Sequence, residues 1–96
     1  MEQNRPDFRS VDIELEGAFK GWKVKMRAEG ISARIFIDLQ SGSAERSMQA
    51  LERLVISHNF LNENGIESDS ILDAPMDALT EAMTKWSDAV AALPPR

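Results

Sequence analysis

The chain has 96 residues, no cysteine and a formal net charge of −5. That length supports one domain with a single modest core, since folding at this size buries roughly 60–70% of the unfolded surface. The missing cysteines exclude a disulfide framework and a thiolate metal site, and they fit a reducing compartment.

The polar opening residues, with Pro6 among them, show no signal-peptide pattern. No apolar run approaches the roughly 18 residues needed to span a bilayer. A soluble, cytoplasmic protein with no membrane partner is therefore expected. The charge is unevenly spread: residues 1–37 carry seven basic and six acidic side chains, and residues 38–96 carry four basic and ten acidic. The second part would repel nucleic-acid phosphates.

Residues 1–10 read as a loose lead-in. Val11, Ile13 and Leu15 then alternate with Asp12, Glu14 and Glu16, the two-residue period of a half-buried strand. Gly17 and Gly21 bracket a turn. Trp22, Val24 and Met26 next alternate with Lys23, Lys25 and Arg27. Together the runs predict a β-hairpin, with Glu14 and Glu16 able to face Lys23 and Lys25 across it. Residues 31–39 satisfy two periods. Ile31, Ala33, Ile35, Ile37 and Leu39 alternate as in a strand, while Ile31, Ile35 and Leu39 are spaced by four as in a helix. The β-branched isoleucines favour a third strand.

Ser43 is a good helix cap and Glu45 suits the first turn. Met48, Leu51, Leu54, Val55 and His58 follow on one helical face, predicting a helix over residues 44–57. The sequence Asn62-Glu63-Asn64-Gly65 ends it, because asparagine and glycine tolerate left-handed backbone. The last helix is expected to start with Asp73 as cap, Pro75 in the first turn and Asp77 near the positive end. Met76, Leu79, Met83, Trp86, Val90 and Leu93 lie at spacings of 3, 4, 3, 4 and 3, a single apolar stripe that Pro94 and Pro95 close. The expected fold is α+β. A small N-terminal antiparallel hairpin or sheet packs on two or three C-terminal helices in one domain, with a β-rich part at 11–39 and a helical part at 41–93.

The residues that carry chemistry elsewhere have simpler readings here. His58 has no neighbouring ligands at HxxxH, HxH or HxxE spacing, so packing near a helix end outweighs metal binding or base catalysis. Read as a calcium loop, with Gly65 sixth, the turn would offer Phe60 and Ile71 as first and last ligands, and neither coordinates. The carboxylates of Asp12, Glu14 and Glu16, and of Glu67, Asp69 and Asp73, fall on a solvent face and in a polar connector. No phosphate-binding glycine loop or GxSxG elbow is present. Lys20, Lys23, Lys25, Arg27 and Arg34 with Phe19 and Trp22 form the one basic, aromatic-flanked patch. However, Trp22 shares its face with Val24 and Met26, and the net charge is negative, which disfavours nucleic-acid binding. No catalytic residue, cofactor site or metal site is expected. The stripe of Met76, Leu79, Met83, Trp86 and Val90 is core in the simplest reading. It is also a candidate partner-binding seam, because methionine and tryptophan suit adaptable surfaces.

The order of these signals resembles the tail assembly chaperones of long-tailed, siphovirus-type bacteriophages and prophage-like elements. "GAFKGWKVKMR" forms the hairpin, and "VISHNFLNENG" supplies His58-Asn59-Phe60 followed by the Asn/Gly turn. "LDAPMDALTEAMTKWSDAVAALPPR" then closes the domain. The resemblance spans residues 11–93. It implies a protein of the host cytoplasm that binds the tape measure protein and keeps it soluble while tail tube subunits polymerise. The tail tube protein would be a second partner, and self-association is expected. Members of that family often make a second, longer product by ribosomal frameshifting. Two other classes fit the composition: a structural tail or head–tail component, and a small acidic phage-encoded inhibitor acting by protein–protein binding.

Overall fold

The alternating runs form the expected hairpin in the computed structural model, which describes residues 8–95. Of the expected lead-in, residues 1–7 lie outside the described residues. Strand β1 (Ser10–Glu14) pairs antiparallel with β2 (Lys23–Arg27), with Val11 opposite Met26 and Ile13 opposite Val24. These four side chains, with Leu15, are buried on the inner face. On the outer face Glu14 stands opposite Lys23, but the partner of Lys25 is Asp12 and not Glu16. Glu16 has passed the strand end, where the Lys85 Nζ lies 3.6 Å from its carboxylate.

Residues 31–39 are not a strand. Ala33–Leu39 form helix α1, whose cap Ser32 accepts a hydrogen bond from the Ile35 amide at 3.3 Å. The four-residue spacing prevails, turning Ile35 into the core and Ile31 and Leu39 partly so, while Ile37 remains 59% exposed. Two physical reasons favour the helix. Gly30, at φ 69°, turns the chain away from β2 where a side chain would be strained. The free side of β2 is also taken by another strand.

That strand comes from a segment read as helix. Helix α2 (Ala44–Leu54) starts as expected, with Ser43 accepting from the Arg46 amide at 3.3 Å and Glu45 in the first turn. It stops at Leu54, three residues before the predicted end. Val55 is already extended, and Val55–His58 form β3, antiparallel to β2, completing a sheet of order β1-β2-β3. Lys25 pairs with Ser57 and Met26 with Val55, so Ile56 is left over as a bulge residue. The turn at residues 62–65 therefore does not end α2. The division into a β-rich part at 11–39 and a helical part at 41–93 also gives way to interleaving, with α1 in the first and β3 in the second.

Helix α3 (Met76–Ala91) covers the sheet. Pro75 occupies its cap position, where a missing N–H costs nothing. Asp73 instead ends the preceding 3₁₀ turn, Ile71–Asp73, and its carboxylate accepts from the Ser68 hydroxyl. Asp77 occupies the first turn as expected. The result is an α+β fold: one sheet face packs on apolar side chains of α2 and α3 in a single cluster that includes Leu51, Leu54, Phe60, Ile71, Leu79 and Trp86. No polar or charged side chain is buried among the described residues. No helix among them is long and apolar enough to cross a membrane.

Candidate functional site

The histidine segment is a structural clasp. His58 lies on β3, half-buried, and not on a helix. Its Nδ1 accepts from the Phe60 amide at 3.0 Å, which leaves Nε2 to donate toward the Asp69 carbonyl, 3.4 Å away. Asn59 reaches back to the hairpin: its Oδ1 accepts from the Lys23 amide at 2.7 Å and its Nδ2 donates to the Gly21 carbonyl at 3.2 Å. Asn62 Oδ1 accepts from the amides of Asn64 and Ile66 at 2.8 and 3.1 Å, closing a turn in which Gly65 takes φ 76°. Each polar side chain thus satisfies backbone groups that the irregular chain leaves open. Phe60 seats the segment, 1% exposed and 5.3 Å from the Trp22 ring, which in turn packs tilted against Phe19 at 4.9 Å. The aromatics of the basic patch are therefore engaged with the core. No group of three or more His, Asp or Glu side chains among the described residues is arranged to hold a metal ion.

The α3 stripe is divided. Leu79 and Trp86 are buried, and Met83 and Val90 are half-buried against the same core. Trp86 Nε1 donates to the Arg27 carbonyl at 2.8 Å, capping β2 just past the reach of β3. Only Met76, at 57%, faces solvent. The five residues expected to meet a partner are mostly committed to this chain's own interior.

Exposed apolar surface lies elsewhere. Phe36 and Ile37 stand side by side on α1 at 46% and 59% exposure, and Ile56 and Ile66 project from the β3 bulge and the turn tip. Helix α1 packs chiefly on α2, through its inner face and through the Arg46 guanidinium on Asp38 at 2.8 Å. Covering the exposed half of Phe36 and Ile37 is worth on the order of 1 kcal/mol each. The four-residue reading of residues 31–39 held the signal for this pair, because it places both off the buried face.

The outer sheet face carries a row of cations, Lys23, Lys25 and Arg27, on β2 beside Asp12 and Glu14 on β1. A shallow open groove runs over it toward Ser57 and Asn59. No family model, curated protein or solved structure matches the chain.

Proposed function

We propose that this protein is a non-catalytic tail assembly chaperone of a siphovirus-type phage or prophage-like element. In the host cytoplasm it would bind the tape measure protein and keep it soluble during tail tube polymerisation. The observation that carries the reading is the Phe36–Ile37 pair, solvent-facing on a helix of a chain with net charge −5. A holding chaperone needs apolar surface kept soluble by surrounding charge, and α1 supplies it where α3 does not. The sequence resemblance supplies the identity of the client.

Co-expression with the tape measure protein of the same element tests this, with pull-down and light scattering of each soluble species. The client should stay soluble only in complex with this chain. Phe36→Ser combined with Ile37→Ser should release it without unfolding the chaperone. A client indifferent to the chain refutes the reading. Mass spectrometry of purified particles separates the structural alternative, since a retained tail or head–tail component is found there and an assembly factor is not.

A further inference from the structure

We infer that the outer edge of β1 is a docking site for an extended segment of a partner protein with lysine or arginine at alternating positions. This stands apart from the chaperone reading and survives its failure.

The backbone comes first. The Leu15 amide donates to Trp22 and the Ala28 amide to Arg9, so the pairs at both ends of the hairpin ladder are hydrogen-bonded ones. Antiparallel pairs alternate between bonded and non-bonded. Val11 and Ile13 therefore spend their backbone groups on β2, while those of Ser10, Asp12 and Glu14 point away from the sheet. Among the described residues β1 has no second neighbour in the sheet, and none of them bonds to these groups. The Glu16 amide, next in the same row, is already satisfied within the chain: it donates to the Glu81 carboxylate of α3 at 2.8 Å. No proline or bulge blunts the strand, the usual protection of an exposed edge.

Charge selects the occupant. Asp12 and Glu14 face solvent beside that edge and make no ion pair with described residues, although Lys25 and Lys23 stand across from them on β2. A strand added to β1 would place its outward residues directly opposite these carboxylates, where opposite charge stabilises and like charge destabilises. A second copy pairing antiparallel through its own β1, centred on Asp12, would set Asp12 against Asp12. A basic strand instead extends the cation–anion alternation that β2 and β1 begin. Strand addition of this kind draws affinity from main-chain hydrogen bonds and specificity from alternate side chains.

The test uses the full chain, isotope-labelled, titrated with a blocked octapeptide of alternating lysine and valine and with its glutamate–valine counterpart. The lysine peptide should bind and slow amide exchange at Ser10, Asp12 and Glu14, leaving Val11 and Ile13 unchanged. That period of two would not arise from diffuse charge attraction. Asp12→Lys with Glu14→Lys, both at exposed positions, should weaken the lysine peptide roughly tenfold and admit the glutamate one. Equal binding of both peptides, or binding without the alternating protection, overturns the proposal. So does concentration-dependent protection of the same amides in the free protein, which would assign the edge to a second copy.

Discussion

Trp86 gives the sharpest test of the packing. It is 8% exposed, lies in the same core cluster as Leu79 and Val24, and donates its indole N–H to Arg27 at 2.8 Å. Truncating a buried tryptophan to alanine costs about 3–5 kcal/mol. The whole domain, at 96 residues, has roughly 5–15 kcal/mol to lose. Trp86→Ala should therefore shift the urea midpoint far down or leave the protein unfolded. Trp86→Phe keeps most of the ring and removes the donor, and should cost about 1–2 kcal/mol, the value of one hydrogen bond plus some lost contact. Far-UV circular dichroism in urea measures both, with equal m-values required for the comparison. A loss below about 1 kcal/mol for Trp86→Ala would refute the burial argued here. The same numbers bear on function, because any loss of binding in an α3 variant must first be separated from loss of fold.

Other substitutions probe individual joints. Asn59→Ala removes both side-chain bonds from the residue after β3 to the hairpin and should cost about 1–2 kcal/mol, with faster amide exchange at Lys23. Gly30→Ala puts a methyl group at φ 69° and 2.3 Å from the Phe8 ring, which must swing aside; thermal unfolding should show a loss of at least about 1 kcal/mol. Ser43→Ala deletes the α2 cap and should cost about 1 kcal/mol by urea titration. Phe36→Ser with Ile37→Ser should cost about 2 kcal/mol, since roughly half of each side chain is already buried, while lowering binding of an apolar dye.

The hairpin and the last helix are legible in the sequence because each shows one period over enough residues. Val11 to Leu15 and Val24 to Met26 alternate without exception. The α3 spacing has no competing strand pattern. Residues 31–39 carry both periods, and the deciding facts are the turn at Gly30 and the occupied side of β2, the second invisible to local reading. Val55 and His58 continue the face of α2 in register, and a four-residue strand is too short to display its own period. Only pairing with β2 makes it one. For the site, burial of Leu79 and Trp86 follows from the stripe itself. Exposure of Phe36 and Ile37 depends on which period of their segment prevails.

The packing of α3 on β1 has a consequence for synthesis. α3 begins about sixty residues after β1 ends, a stretch that takes roughly 3–12 seconds to elongate at about 5–20 residues per second. During that interval Val11, Ile13, Val24 and Met26 have emerged on a hairpin that is at best marginal alone, and the helix that covers β1 does not yet exist. Each of them is separated from the next in its strand by a charged residue, Asp12 or Lys25, which hinders association between nascent chains. The alternation that marks the strands thus also guards them before the fold is complete.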